Sequence, residues 1–293
     1  MGIVGFDSKN LCAIFAILFC QLFVGQNRIF YEYTFKNDSL NPENIQKELM
    51  ILDISESKSR FCSYQKLVYD SLLSQNNAKF KALNITNKDF SKITDRSNVK
   101  FLVDKFYPEY KTVLYTNIGI NNYAVEENSN NINWRISSET DHINGFKVQK
   151  AYTSLGGRNW VAWFSDEIPF HEGPYKFHGL PGLILKIEDV SNSHSFKFVG
   201  NKKLDENSSI LSYNGENTIV KITPENFKML WKDYVKNPTK GITQLLSSSN
   251  TRMTISWEGK SYNTSQIIRD KEKAVKEEVK RNNNKLELSL YKD

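Results

Sequence analysis

The sequence predicts a mainly β (α+β) domain: a single antiparallel curved sheet, a half-barrel or bowl, with one packed helix and a peripheral C-terminal helix. Many short segments alternate apolar and polar residues with the period of a strand, and turn signals such as Asn144-Gly145 separate them. Two later segments, after Thr223 and from about residue 265, follow helical spacing instead. With 293 residues, 39% hydrophobic and 13% aromatic, the chain can bury a sizeable core.

The first 25 residues predict a signal peptide. Lys9 supplies a basic start, and residues 11–24 form a nearly unbroken apolar run that is short for a membrane span. Cleavage is expected near Gly25-Gln26; a lipidated Cys20 and an uncleaved anchor helix are the alternatives. We expect one domain over residues 26–293, acting in the periplasm, at the cell surface or outside the cell, with no transmembrane segment.

Composition excludes some classes of function. The net charge of +6 is modest and the basic residues are scattered among carboxylates, which argues against nucleic-acid binding. Removal of the signal peptide leaves Cys62 as the remaining cysteine, so no internal disulfide is expected. We interpret Cys62 as a small buried apolar residue rather than a nucleophile.

The first half of the chain predicts short strands around one helical segment. In residues 28–35 the large apolar side chains fall on alternate positions, as on a half-buried strand. Residues 66–74 have helical spacing, and residues 76–98 are polar and mixed. The strands expected here are residues 28–35, 48–54, 59–64, 100–107, 111–117 and 122–127.

The middle of the chain predicts an antiparallel meander. Ile132, Trp134 and Ile136 alternate with polar residues, Asn144-Gly145 is a strong hairpin signal, and residues 159–165 alternate again. The large aromatic residues on both sides of that last strand indicate that both its faces are covered.

The segment that follows is rich in turn signals. Pro169 ends the strand, and Pro181-Gly182 suits a type II turn in which Gly182 adopts a positive φ. An alternating strand follows from Leu183, and residues 191–194 turn it into another hairpin. We interpret this motif as architectural; its residues are Gly173, Pro174, Gly179, Leu180, Pro181, Gly182, Leu183 and Ile184.

The C-terminal part predicts two helices. Thr223 caps the first and Pro224 occupies its first turn, and its aromatic face should lie on the sheet. Residues 252–257 predict a late strand. Residues 265–281 form a charged helix whose apolar stripe is thin, so it should be only partly docked.

These residues carry a resemblance to a known family. The run from Arg158 through Trp163 and the Gly-Leu-Pro-Gly-Leu-Ile sequence from Gly179 to Ile184 resemble the signature of the GLPGLI family of secreted Bacteroidetes proteins. Lys285-Leu-Glu-Leu resembles the family's closing Asn-Pro-Ile-Glu-Leu, without its proline. The family is similar to the bowl-shaped N-terminal domain of a bacterial glycoamidase, which lacks that enzyme's catalytic site. The resemblance therefore implies a fold and a compartment and carries over no catalytic residue.

Candidate chemistry is sparse. His171, Glu172 and His178 could supply a metal site, but their spacing matches no metal motif, and we interpret the histidines as surface loop residues. Two carboxylate pairs lie at predicted strand ends. Exposure to solvent at a strand end accounts for such pairs at least as well as a role in general acid–base catalysis does. These pairs are Asp166-Glu167 and Glu188-Asp189. We assign no catalytic residue, no metal and no cofactor.

Trp160 and Trp163 are the remaining candidates for ligand binding. They lie on opposite faces of one predicted strand, so at most one of them lines the concave wall of the bowl. We expect a noncatalytic envelope-associated binding or interaction protein whose partner is a glycan or another protein. The alternatives are a glycan- or peptide-acting hydrolase that uses the carboxylate pairs, and a structural accessory of a surface complex.

Overall fold

The computed structural model of the protein describes residues 26–90, 92–127, 132–204, 219–241, 243–244, 255–257 and 260–292. The residues that the structure describes contain one large sheet and a separate two-stranded ribbon. The strands of the large sheet are β1 (Asn27–Phe35), β2 (Gln46–Ile54), β3 (Lys58–Ser63), β4 (Leu102–Phe106), β5 (Lys111–Ile118), β6 (Asn121–Glu127), β7 (Arg135–Ile143), β8 (Phe146–Leu155), β9 (Arg158–Ser165), β10 (Leu183–Asp189), β11 (His194–Lys203) and β12 (Ile219–Ile222). The ribbon pairs β13 (Ile255–Trp257) with β14 (Lys260–Tyr262).

The large sheet has 12 strands in the order β12-β6-β5-β4-β3-β2-β1-β11-β10-β9-β8-β7. Neighbouring strands are antiparallel except β12 and β6, which run parallel. β12 and β7 are the two edges, so the sheet does not close into a barrel. The short strand β12 was not predicted, and the predicted strand at residues 252–257 falls partly outside the described residues.

Sequence patterns placed the β-strands well. The predicted meander of β7, β8 and β9 is confirmed. Asn144 and Gly145 both have positive φ, as a type I′ hairpin turn requires, and the twist of this turn matches the right-handed twist of the strands. The hairpin between β10 and β11 is confirmed as well.

The sheet curls around its core. One hydrophobic cluster contains Tyr31 of β1, Val125 of β6 and Val148 of β8. Phe177, between β9 and β10, accepts from Lys105 of β4 at 2.9 Å and places its ring 4.9 Å from that of Trp160 on β9. β4 and β9 are six positions apart in the strand order and neighbouring strands lie about 4.8 Å apart, so one residue can contact both only if the sheet bends round. The expected bowl-like sheet is therefore present.

Among the described residues, the sheet is accompanied by the helices α1 (Tyr64–Ala82), α2 (Pro224–Lys236) and α3 (Thr264–Arg281) and by the short 3₁₀ turn Leu288–Leu290. α1 is longer than the predicted residues 66–74 and covers a second, smaller cluster built on Ile51, Cys62 and Leu102. Two helices therefore pack on the sheet rather than one, because Phe227 of α2 is also fully buried. Cys62 is a free buried thiol, as expected, and burial raises its pKa to about 12.

The α2 and α3 helices begin where the sequence predicts. Thr223 caps α2, its hydroxyl oxygen accepting from the Asn226 amide at 3.3 Å, and Asn263 caps α3 in the same way. α3 buries Val275 while most of its charged residues stay exposed, so it is partly docked.

The loop between β9 and β10 fills the bowl. We call residues 166–182 the motif loop. Its apolar side chains are buried in the same cluster as the inner face of the sheet: Ile168, Tyr175, Phe177 and Leu180. Within the described residues, the motif loop therefore covers much of the inner face of the sheet.

Gly182 closes the motif loop against the end of β9. A Cβ atom at this position would lie 2.0 Å from the carbonyl oxygen of Ser165, and its φ is +154°, which is positive as predicted. The Gly182 amide donates to Leu180 O at 2.8 Å, which closes a tight turn around Pro181. The predicted type II turn is wrong, because the Leu183 amide that would have closed it donates to Ile168 O instead.

We predict that Gly182→Ala lowers the free energy of unfolding by about 3 kcal/mol or more, because the methyl group meets backbone that cannot move aside. Gly179→Ala is the matched control, since Gly179 has a φ of +90° and open space at its Cβ. It should cost only about 1 kcal/mol. Urea denaturation measures both, and an equal loss in the two variants would show that close approach does not matter.

Candidate functional site

A buried lysine lies where the motif loop meets the sheet. Lys105 on β4 is 0% exposed, and its ammonium forms an ion pair with Glu172. It also donates to the carbonyl oxygens of Gly173 at 2.8 Å and Phe177 at 2.9 Å. A buried charge is tolerated when it is paired and hydrogen-bonded, so these oxygens fix the loop on the sheet.

Glu172 is held from the other side by hydroxyl groups. Its Oε1 atom accepts from Tyr107 at 2.5 Å and from Ser59 at 3.1 Å. Desolvation lowers the pKa of Lys105, although the adjacent carboxylate acts against that shift. Burial and the same carboxylate raise the pKa of Tyr107. The carboxylate is thus committed to internal contacts.

The two loop histidines differ. His178 is buried and stacks on Tyr110 with ring centroids 4.3 Å apart, while its Nδ1 lies 2.9 Å from Lys176 O. His171 is exposed. The interpretation of both as surface residues is wrong for His178, because the loop turns into the bowl. Within the described ranges, no group of three His, Cys, Asp or Glu side chains could hold a metal ion.

The motif loop also binds the C-terminal tail, residues 282–292. Lys176 is buried and forms ion pairs with Glu127 and, at 2.6 Å, with Glu287 of the tail. Tyr175 donates its hydroxyl to Glu287 at 2.5 Å. These contacts dock the C-terminal tail against the motif loop. They form although the tail lacks the proline found in the closing sequence of the GLPGLI family.

Arg158 at the start of β9 fixes the tail backbone. Its Nη2 donates to Lys285 O and Asn284 Oδ1, both at 2.6 Å, and its Nη1 donates to Asp189 at 2.9 Å. His194 lies beside it, with Nε2 3.0 Å from Asn284 O. Burial and the nearby guanidinium lower the pKa of His194 to about 4, so this imidazole is neutral at pH 7.

The predicted carboxylate pairs behave differently from each other. Asp166 and Glu167 are exposed, and Glu188 forms an ion pair with Lys186 at 2.8 Å. Asp189 is buried, so the interpretation of both pairs as solvated strand ends is wrong for this residue.

Asp189 organises the turn that follows it. Its oxygens accept from the backbone amides of Ser193 at 2.7 Å and His194 at 2.8 Å. Burial opposes ionisation, but the hydrogen bonds from Ser191 and these amides outweigh it and lower the pKa of Asp189. Its role is structural, in the turn and at Arg158.

Trp160 belongs to the core. It is 2% exposed, its ring meets Phe177 edge-on at 4.9 Å, and its Nε1 donates to Leu155 O at 3.0 Å. A ligand could reach it only if the core opened. The prediction of Trp160 as a ligand-binding residue is therefore wrong, because its side of the strand faces the filled interior.

Trp163 alternates to the other side of β9 and is half-buried. Strand register places Lys150 of β8 and Lys186 of β10 directly opposite Trp163, and Lys197 of β11 opposite Lys186. The Lys150 ammonium lies 5.3 Å from the Trp163 ring centroid. An aromatic ring thus stands in one row with three lysines.

This row lines a groove of about 700 Å³, which we call the Trp163 groove. Tyr152 and Val161 lie alongside the row, and Asp141, His142 and Asn144 come from the β7–β8 hairpin. Sequence reasoning selected Trp163 but missed the lysines. The lysines that face it come from neighbouring strands, and only the register brings them together.

A comparison with known protein families matches the stretch that contains β9 and the motif loop. Residues 157–186 match the model of a family described as "Protein of unknown function (Porph_ging)". No curated protein matches the sequence significantly. The matched residues comprise β9, the motif loop and the start of β10.

Solved structures of PNGF-II in two space groups are similar to this chain. The structure in space group P21 has a TM-score of 0.47 and 18% identity, covering 71% of this chain and 34% of PNGF-II. The structure in space group C2 has a TM-score of 0.45 and 17% identity, with 71% and 33% covered. This chain therefore spans about a third of the length of PNGF-II. No helix within the described residues is long and apolar enough to cross a membrane.

We predict that Lys105→Met lowers the free energy of unfolding by about 3–5 kcal/mol, because it leaves Glu172 buried without its counter-ion. Adding Glu172→Gln should recover at least half of that loss, since the amide oxygen can still accept from Tyr107. Urea denaturation of both single variants and the double variant gives the coupling energy. Strict additivity of the two substitutions would contradict the pairing, and Lys203→Met, an exposed lysine, serves as the control.

Proposed function

We propose that this protein is an exported, noncatalytic binding module of the cell envelope, similar to the GLPGLI family of secreted Bacteroidetes proteins, and that it binds an anionic glycan in the Trp163 groove. The row of Trp163 with Lys150, Lys186 and Lys197 supports the proposal most directly. A flat aromatic ring offers a stacking surface to a sugar, and the neighbouring ammonium groups favour a ligand that carries carboxylates or sulfates.

The charge arrangement in the groove also supports an anionic ligand. Lys150 pairs with Glu139 at 2.9 Å and Lys186 pairs with Glu188 at 2.8 Å, and both pairs are partly solvated. Such pairs stabilise little, so a ligand anion can replace a carboxylate at small cost. Lys197 is exposed, and no ion pair engages it among the residues described.

We predict that Trp163→Ala weakens binding of an acidic glycan at least tenfold, because it removes the stacking surface. The probe is oligogalacturonate, with neutral maltohexaose for comparison, and isothermal titration measures the affinities. Lys197→Ala should weaken oligogalacturonate binding and reduce its salt dependence, whereas Lys203→Ala on the same strand should change neither.

Circular dichroism shows whether each variant is folded. Equal affinity for the acidic and neutral glycans, or unchanged affinity in Trp163→Ala, would contradict the proposal. Turnover of the glycan that is abolished by Asp166→Asn would favour the hydrolase alternative instead.

We predict that export removes the segment before about Gln26, because its short apolar run after a basic start is typical of a secretory signal. Mass spectrometry of the protein isolated from its native host measures the mature N-terminus. An intact Met1 would show an uncleaved anchor helix, and a lipid on Cys20 would show lipoprotein processing; either result would contradict the prediction.

A further inference from the structure

A second cleft, of about 710 Å³, lies between α2, α3, the C-terminal tail and strands β1, β5 and β6. We call it the tail cleft; it shares no lining residue with the Trp163 groove. Its aromatic lining includes Trp231 and Tyr234 of α2 and Tyr291 of the tail. This volume lies within the range of small-molecule sites, roughly 300–1,000 Å³.

Lys285 places an ammonium group in the tail cleft. Its backbone carbonyl accepts two hydrogen bonds from Arg158, at 2.6 and 3.2 Å, so the position of the residue is fixed. Its Nζ lies 5.6 Å from the Trp231 ring and 5.4 Å from the Tyr291 ring. These rings meet edge-on with centroids 5.0 Å apart, which gives the cation a rigid aromatic support.

The charge of Lys285 is not neutralised by an ion pair within the described part of the chain. Of the other charged groups that line the cleft, Lys240 pairs with Asp233 at 2.8 Å and Glu287 pairs with Lys176 at 2.6 Å. Lys271 and Glu278 of α3 line it as well. Desolvation lowers the pKa of Lys285, although the field of Glu278 opposes the shift. A partly desolvated cation on aromatic rings is therefore available to an anion that enters the cleft.

We propose that the tail cleft is a second binding site, which takes a small carboxylate carried on a ring. The carboxylate would meet the Lys285 ammonium, and the ring would lie against the aromatic side chains of α2 and the tail. Acidic sugars and aromatic acids share this chemistry. This inference goes beyond the proposed glycan binding and is independent of it, because it uses other residues.

The test is to titrate the full mature chain with benzoate, glucuronate and benzamide while NMR records the indole N–H signal of Trp231. Benzoate or glucuronate should shift this signal in a saturable way. The acid that binds more tightly shows whether the ring of the ligand is aromatic or a sugar ring. Benzamide, which has the ring without the charge, should bind at least tenfold more weakly than benzoate.

Lys285→Met should weaken binding of the tighter acid at least tenfold, and Lys285→Arg should keep most of the affinity. Lys203→Met, at an exposed lysine, and Trp163→Ala, in the other groove, should leave this binding unchanged. Equal binding of benzoate and benzamide, shifts that do not include Trp231, or unchanged affinity in Lys285→Met would overturn the proposal. If Lys285→Met does not fold, loss of affinity in the charge-retaining Lys285→Arg variant would likewise overturn it.

Discussion

The buried ammonium of Lys105 decides how the inside of the bowl is filled. A charge that is 0% exposed needs both a counter-ion and further acceptors, and Lys105 finds them in Glu172 and in two carbonyl groups of the motif loop. Together these oxygens hold the loop in its observed placement on the sheet. Phe177, whose carbonyl is one of the acceptors, then carries its ring against Trp160 in the core.

The same placement organises the end of the chain. Once the loop is in position, Tyr175 and Lys176 meet Glu287, and Arg158 binds the backbone just before it. Buried ion pairs add little net stability relative to apolar packing, but a wrongly docked tail would leave several charges buried and unpaired. We therefore attribute the selection of one arrangement of loop and tail to these contacts. The bulk of the folding free energy comes from the apolar core.

The filled bowl changes where a ligand can bind. The motif loop covers aromatic residues of the inner face such as Trp160, whereas the Trp163 groove and the tail cleft are open to a ligand. The Gly179–Ile184 motif stands at neither surface: Gly182 closes the loop against Ser165, and Leu180, Leu183 and Ile184 are buried. A match to this motif therefore informs on architecture, and the chemistry has to be sought in residues outside it.

The sequence by itself determined the local elements. Period-two alternation, the Asn144-Gly145 turn and the Thr223 cap act between neighbours in the chain, so the β meander and the start of α2 could be located without the fold. Alternation also placed Trp160 and Trp163 on opposite faces of one strand. It could not decide which face is interior, because that depends on what packs there.

Only the tertiary structure decided the partners of Lys105, the burial of Glu172 and His178, and the row of lysines at Trp163. These contacts join residues far apart in the chain, such as Lys105 and Phe177, and no local pattern encodes a partner that strand order and register bring into place.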